Sequence, residues 1–378
     1  MRWPESSFAC DARFPGRSLL RLAAAAIARH ELDLSDMTVL TATATGYLRA
    51  TATIAALAGA EQVYAVARES DRGERRQSQE QALYLARLAG VEDRVTFVPS
   101  RLQAPLERVD VVTDLPAVRP IDESVIHNLP ETAVVTLMDG AAQWSSRKTD
   151  AVACRRAGVA VAGVDLDAID FYRFAPLLLA WLFTELGVAV AGSTLLLAAE
   201  GIVYPKAVRL LAQMGARVLV VGPDNAGRVS LAGGEKVAAE LADPAARRML
   251  PECDALITFA GQGTEVVGAS AAISPREMAA LAPHLPVIVY GGGVDRRGLE
   301  DAGLRTVSAG GAGVGSLALA GNLLPEPVVE FHVAGLRVAE VMARARRRGS
   351  SPLAAEELAR QVAHADLLPK ELPQSYRR

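Results

Sequence analysis

The sequence predicts an α/β protein made of two tandem doubly wound parallel sheets that are linked by two long helices. Short runs of Val, Ile, Leu, Ala and Thr alternate with helical stretches of about ten residues, which is typical of βαβ units. The runs are apolar at nearly every position, as expected for strands that helices cover on both faces. The alternation occurs twice along 378 residues, a length that suggests about two domains.

Composition and charge exclude several classes of protein. Hydrophobic residues make up 51% of the chain, which excludes a disordered protein. A net charge of −3 offers no basic surface to a polyanion, so we expect no nucleic-acid partner. The apolar stretch Phe174–Ala199 is interrupted by Glu185 and by glycines, and we interpret it as a helix followed by a strand. We therefore expect no membrane span.

The cysteines and the N-terminus indicate a cytoplasmic protein. Cys10, Cys154 and Cys253 are far apart and show neither metal-ligand nor disulfide spacing. The first residues lack the apolar core of a signal peptide. We therefore expect a protein of the reducing cytoplasm without a metal site.

The first series of elements predicts domain one, residues 38–168, after an N-terminal helical segment over residues 1–37. Its predicted strands are Thr38–Ala44, Gln62–Ala67, Arg94–Val98, Asp110–Thr113, Ala133–Leu137 and Val159–Val164. Its predicted helices, with that of the N-terminal segment, are Ser18–His30, Tyr47–Ala58, Glu80–Ala89 and Ser145–Ala157. Six strands with a break after the third are typical of a mononucleotide-binding doubly wound sheet.

A second series predicts domain two, residues 191–324, between a linking helix over 169–190 and a return helix over 325–348. Its predicted strands are Ser193–Ala199, Arg217–Val221, Asp254–Phe259, Pro286–Tyr290 and Arg305–Val307. We expect the return helix to pack on domain one and the tail, 349–378, to contain one short helix. Two crossings between the domains predict a cleft, and clefts of this kind hold ligands.

Two segments of domain two carry a resemblance to a known group of proteins. Residues 192–222, GSTLLLAAEGIVYPKAVRLLAQMGARVLVVG, resemble the first βαβ unit of the NAD domain in the D-2-hydroxyacid dehydrogenase superfamily. Similar proteins are S-adenosylhomocysteine hydrolase, alanine dehydrogenase and the A component of dipicolinate synthase. Residues 254–268, DALITFAGQGTEVVG, resemble the fourth-strand loop over which the nicotinamide lies. The resemblance extends over about 165–345 by order of elements and implies a Rossmann-like, nucleotide-binding domain two.

The phosphate-binding turn departs from that pattern. Ala199, Gly201 and Tyr204 stand where the superfamily has three glycines, and only Gly201 matches. The middle glycine preserves the backbone approach to a pyrophosphate, while Tyr204 crowds the start of the helix. Pro205 is well placed in the first helical turn, where its missing N–H is not needed. Two interpretations stay open: domain two binds a dinucleotide, or it binds none or binds one differently.

The position that reads the adenosine ribose also departs from the pattern. Gly222 stands where NAD-binding domains carry an acid, followed by Pro223 and Asp224. The loss of the acid, with Arg228 downstream, favours the 2′-phosphate of NADP, whereas Asp224 in the acid's role would favour NAD. Further expected cofactor-binding residues follow later strands: Gly261, Gln262, Gly263, Tyr290 and Gly291.

The catalytic residues of the superfamily are missing where the resemblance would place them. No arginine stands at the strand end in Tyr290–Asp295, and Ser308–Ser316 contains no histidine. Ordinary 2-hydroxyacid chemistry is therefore not predicted. Asp139, Lys206 and His332 are the remaining catalytic candidates.

Each candidate has an alternative explanation. Asp139 ends a domain-one strand, at the functional edge of such a sheet, but it also fits a turn before Gly140. Lys206 lies in the first turn of a helix, where a cation indicates either an anionic ligand or plain solvent exposure. His332 lies on the return helix and faces either the cleft or the core.

Three hypotheses on function follow. The first is an NAD(P)-dependent oxidoreductase acting on a small, carboxylate-bearing metabolite in the interdomain cleft, as a homodimer that pairs through its long apolar helices. The second is a methyltransferase-like enzyme using S-adenosylmethionine (SAM), because AGAEQVYAVARES and GVEDRVTFVPS resemble a SAM-methyltransferase core without its glycine-rich loop. The third is a catalytically silent binding or scaffold subunit.

Overall fold

The computed structural model divides the chain into two compact units. Unit 1 contains Met1–Phe171 and Leu324–Arg378, and unit 2 contains Tyr172–Leu323. The structure describes residues 16–43, 49–67, 74–138, 141, 144–166, 168–169, 175–199, 204–223, 226–259, 265–291, 293–308 and 325–368.

The first part of unit 1 is a doubly wound sheet. Its strands are β1 (Thr38–Thr43), β2 (Gln62–Ala67), β3 (Val95–Val98), β4 (Val111–Thr113), β5 (Val134–Leu137) and β6 (Ala160–Val164). Its helices are α1 (Gly16–Arg29), α2 (Ala50–Leu57), α3 (Glu74–Ala89), α4 (Glu123–Ile126) and α5 (Ala151–Arg156). The strands are parallel in the order β3-β2-β1-β4-β5-β6, so the sheet has its switch point between β1 and β4.

Unit 2 repeats this strand order. Its strands are β7 (Thr194–Ala199), β8 (Arg217–Val221), β9 (Glu235–Ala238), β10 (Ala255–Phe259), β11 (Glu265–Val267), β12 (Val287–Gly291), β13 (Gly293–Val294) and β14 (Thr306–Ser308). Its helices are α6 (Ala175–Leu186), α7 (Tyr204–Gln213), α8 (Ala226–Leu231), α9 (Pro244–Met249), α10 (Pro275–Leu281) and α11 (Arg296–Asp301). The main sheet is parallel in the order β9-β8-β7-β10-β12-β14, and β11 pairs with β13 in a small second sheet.

The chain then returns to unit 1 through α12 (Pro325–Arg347), α13 (Pro352–Ala363) and β15 (Ala365–Leu367). Helix α12 contacts α1, α2 and strands β4 to β6. The Thr136 hydroxyl donates to the Gly335 carbonyl at 3.0 Å. Farther along α12, Arg346 donates to the carbonyls of Glu131 (2.7 Å) and Gly158 (3.0 Å), which precede β5 and β6. Helix α12 therefore runs antiparallel to these strands, and its first half lies at the carboxyl edge of the sheet.

The predicted fold class is confirmed, and several elements differ in detail. Strands Gln62–Ala67 and Arg217–Val221 are observed with the predicted bounds, whereas the helix expected over Ser145–Ala157 forms only from Ala151. Turns occupy residues 146–148 before Asp150, whose side chain caps the helix by accepting from the N–H of Ala153. After the short helix expected in the tail, β15 adds an antiparallel edge strand to β6, which the sequence analysis did not predict.

Candidate functional site

The carboxyl edge of the unit 2 sheet has its switch point between β7 and β10. Helix α7 begins at Tyr204, five residues after β7 ends at Ala199. The first backbone N–H groups of such a helix face the place where doubly wound sheets bind phosphate. Lys206, half-buried, lies in this first turn behind Pro205.

The residue that follows strand β8 packs directly against the last residue of β7. A Cβ at Gly222 would overlap the carbonyl oxygen of Ala199, so no other residue fits there without moving backbone. The Lys236 ammonium, from β9, donates a hydrogen bond to the Gly222 carbonyl. A cation therefore occupies the strand end where NAD-binding sheets carry an acid.

Lys236 was missed by the sequence analysis. Strand β9 is short, half-buried and irregular in its pairing with β8, so its sequence lacks the apolar run that predicted the other strands. The signal that was available is the scarcity of lysine, which the chain uses only at Lys148, Lys206, Lys236 and Lys370.

The ends of β10 and β12 are packed into the core of unit 2. The rings of Phe259 and Tyr290 lie with their centroids 4.6 Å apart, and Tyr290 is 5% exposed. Thr258, one residue before the end of β10, is fully buried, and its hydroxyl has no hydrogen-bond partner within the described ranges. Tyr290, expected to touch a ligand, therefore packs mainly against a neighbouring strand.

The predicted site residues are only partly described. Outside the described residues lie Asp139, Gly201, Asp224, Gly261, Gln262 and Gly263. Tyr204, Arg228 and Gly291 have a described backbone in α7, α8 and β12. Pro223 is exposed just after β8.

His332 lies in unit 1 and is completely buried. Its Nδ1 is 2.7 Å from the hydroxyl of Thr51, in the first turn of α2. Its Nε2 has no hydrogen-bond partner among the residues that the structure describes. Burial lowers the pKa of His332 from 6.5 to about 4, so the ring is neutral near pH 7. Lys206 belongs to unit 2, so the two candidates lie in different units.

A second polar group that sequence reasoning missed follows β4. Asp114 is 2% exposed, accepts a hydrogen bond from the Thr149 hydroxyl at 2.9 Å and forms an ion pair with Arg119. A buried carboxylate is tolerated when paired and hydrogen-bonded in this way. In the sequence, the residues around Asp114 have the composition of an ordinary turn. No neighbouring residue indicates that Thr149, 35 positions later, contacts Asp114 in the fold.

Two described cysteines are poor nucleophiles. Burial raises the pKa of the Cys154 thiol far above its usual range and that of Cys253 to about 11. Within the described part of the chain, no group of three or more His, Cys, Asp or Glu residues is arranged to hold a metal ion. None of the helices searched in that part combines the length and hydropathy needed to span a bilayer.

The fold places the protein in a class: both of its doubly wound units have the strand order of dinucleotide-binding sheets. No protein-family model and no curated protein matches the chain. Among solved structures, the A component of dipicolinate synthase from Bacillus halodurans is similar, with 16% identity, a TM-score of 0.51 and coverage of 83% of this chain and 99% of that chain. The corresponding dipicolinate synthase component from Bacillus subtilis shares 12% identity, with a TM-score of 0.53 and coverage of 85% and 100%.

These matches confirm the two-domain Rossmann architecture that the resemblance implied. D-lactate dehydrogenase from Escherichia coli also matches, with 14% identity, coverage of 84% of this chain and 99% of that chain, and a TM-score of 0.47. At 12–16% identity the likeness to the two dipicolinate synthase components establishes the fold, and function has to be argued from the site.

Proposed function

We propose that the protein is an NAD(P)-dependent oxidoreductase that acts on a small, carboxylate-bearing metabolite, with the dinucleotide held by unit 2. The observation that carries the proposal is the strand order β9-β8-β7-β10-β12-β14, with α7 starting just beyond β7 at the switch point. Sheets of this order bind dinucleotides across that point.

The residues present at this edge fit such a ligand. The first turn of α7 offers N–H groups to a pyrophosphate, and Lys206 adds a positive charge there. When bound, the dinucleotide would supply a hydride acceptor or donor.

We favour NADP over NAD. Gly222 excludes the acidic side chain that would accept hydrogen bonds from an unmodified ribose, and Lys236 places an ammonium at the same strand end. A 2′-phosphate gains a charge-assisted hydrogen bond from such a lysine.

The substrate class rests on the structural relatives. The two Bacillus proteins are named for dipicolinate, a dicarboxylate, and we propose that the substrate of this chain also carries a carboxylate group. Lys206 is our candidate for holding the carboxylate or the cofactor phosphate, and Asp139, which follows β5, is our candidate for moving a proton. His332, buried against Thr51 in unit 1, is assigned no role in this reaction.

Calorimetric titration of the full chain with NADPH, NADH and SAM tests the proposal. We expect NADPH to bind and SAM not to bind. If neither nicotinamide binds at millimolar concentration, the oxidoreductase proposal is wrong. Binding of SAM alone would favour the methyltransferase-like alternative. If none of these ligands binds and a partner protein co-purifies with the chain, a silent scaffold role is favoured.

We also propose a cytoplasmic homodimer. Trp181, on α6, is 37% exposed, whereas Leu179, Leu182 and Phe183 of the same helix lie in the unit 2 core. Sedimentation should give a mass near twice 39.8 kDa, and a species at the monomer mass would contradict the dimer.

A further inference from the structure

A buried polar cluster in unit 1 lies where strand β1 ends and helix α2 begins. Thr43 is the last residue of β1, Arg49 immediately precedes α2, Thr51 lies in its first turn, and His332 comes from α12. Their exposed fractions are 3%, 0%, 0% and 0%. Four polar side chains of a sheet edge are thus withdrawn from water.

The contacts bring Thr43, Thr51 and His332 to one face of the sheet. Thr43 lies two residues after Thr41, whose hydroxyl accepts from Thr113 at 2.8 Å. Thr113 is paired with Thr136, whose hydroxyl donates to Gly335 of α12. Because alternate residues of a strand share a face, Thr43 points to the side that α12 covers. Helix α2 contacts α12 on the same side.

The hydrogen bond between His332 and Thr51 fixes the ring at the start of α2. Its length is 2.7 Å, from Nδ1 to the hydroxyl oxygen. When Thr51 donates to Nδ1, the proton of the neutral ring resides on Nε2, which then becomes a donor. Nε2 and the hydroxyl of Thr43 are buried, and among the described residues neither has a hydrogen-bond partner.

Unsatisfied buried polar groups are rare in native proteins because each costs free energy. Two of them beside the first turn of an eight-residue helix indicate an occupant that is not part of the chain. Arg49 occupies the N-cap position, and its side chain makes no capping hydrogen bond to this helix.

The chemistry of the cluster selects an anion. A buried guanidinium, a hydroxyl and the Nε2–H of a neutral imidazole supply donors and positive charge. In a sheet of order β3-β2-β1-β4-β5-β6, the end of β1 and the start of the next helix are where phosphate groups bind. We propose that unit 1 holds the phosphate group of a small metabolite at this point, bound by Arg49, Thr43 and His332.

This site belongs to unit 1, and the proposal does not depend on the dinucleotide site proposed for unit 2. Calorimetric titration of the full chain with inorganic phosphate and with ribose 5-phosphate tests it. Tighter binding of ribose 5-phosphate would identify a sugar phosphate as the ligand, and equal binding would identify free phosphate. No binding of either compound at millimolar concentration overturns the proposal.

Isosteric variants assign the binding to this cluster. Thr43→Val removes the hydroxyl and should weaken binding about tenfold, the usual effect of a lost hydrogen bond to a charged group. Thr258→Val is the matched control, since Thr258 is a buried threonine of unit 2 whose hydroxyl also has no partner among the described residues. It should leave phosphate affinity unchanged. Equal affinities of both variants and the wild type would overturn the assignment.

The NMR signals of the His332 ring provide a measurement that a change in folding stability alone does not shift. The ¹H–¹⁵N signals of the ring are assigned by their absence from the spectrum of His332→Gln. We expect these signals to shift when phosphate is added to the wild type. At the same phosphate concentration Thr43→Val should show a smaller shift. Unchanged ring signals during titration of a wild type that binds phosphate would place the ligand elsewhere and refute the proposed site.

Discussion

Gly222 lies directly against the carbonyl oxygen of Ala199, and any side chain at position 222 would overlap that oxygen. Ala199 is the last residue of β7 and Gly222 directly follows β8, and the Gly222 N–H donates to the Ala238 carbonyl of β9 at 3.1 Å. Backbone atoms on both sides of Gly222 leave no space for a methyl group. The glycine is thus required by packing at the edge where a ribose-binding acid is usual.

We expect Gly222→Ala to destabilise unit 2 by at least about 2 kcal/mol, because a methyl group in a filled space forces the backbone to shift. Urea unfolding measures the change. Pro223→Ala is the control: Pro223 is exposed, and its replacement should alter the free energy of unfolding by less than about 1 kcal/mol. Equal effects of the two substitutions would show that the close approach to Ala199 does not exist.

Lys236 should discriminate between the two dinucleotides. Removing the ammonium in Lys236→Ala should weaken NADPH binding roughly tenfold or more, since a charge-assisted hydrogen bond is lost, and should leave NADH binding unchanged. Fluorescence titration with each nucleotide measures this. Arg348→Ala, which removes an exposed positive charge from unit 1, is the control. A parallel loss of NADH and NADPH affinity in Lys236→Ala would contradict a role in reading the 2′-phosphate.

The sequence was sufficient to predict the sheets because parallel strands that are buried on both faces need continuous apolar runs. Gln62–Ala67 and Arg217–Val221 show this directly. Strand β9, with Glu235 and Lys236 half in solvent, and the antiparallel edge strand β15 lack such runs. Their pairing depends on neighbours that are distant in sequence, so periodicity does not reveal them.

The candidate site was less predictable for the same reason. Gly222 was identified from its position after a strand, but its overlap with Ala199 and its contact with Lys236 exist only in the folded sheet. His332 was named as a candidate, while its partner Thr51 is 281 positions away in the chain. Side chains that act together across a sheet edge leave no spacing signature in one sequence.

The ion pair between Asp114 and Arg119 should be important for stability. Arg119→Ala removes the cation from a buried carboxylate, and we expect a loss of about 3–5 kcal/mol. The matched control is Arg76→Ala, because Arg76 pairs with Glu80 on the surface, with side-chain exposures of 89% and 42%. This second loss should stay below about 0.5 kcal/mol. Chemical denaturation of both variants gives the comparison, and similar losses would mean that Asp114 is solvated.

His332 should make stability depend on pH in a defined window. Burial lowers its pKa from 6.5 to about 4, so between these values the unfolded chain binds a proton that the folded protein does not. Its contribution to stability is therefore present near pH 7 and is lost as the pH falls through 6.5 towards 4. Between pH 7 and pH 5 the loss should reach about 2 kcal/mol.

The variant His332→Gln isolates this contribution, since glutamine keeps a partner for Thr51 and does not titrate. Glu330 titrates too: burial raises its pKa, but hydrogen bonds from His30 and Arg29 outweigh burial, and the pKa lies below its usual value. Its stabilisation is lost only as the pH falls below about 4.3, which is below the interval from pH 7 to pH 5. The difference in unfolding free energy between wild type and variant should therefore change between pH 7 and pH 5. Parallel profiles over that range would mean that the ring is exposed to water, which would also remove the basis for its unsatisfied Nε2.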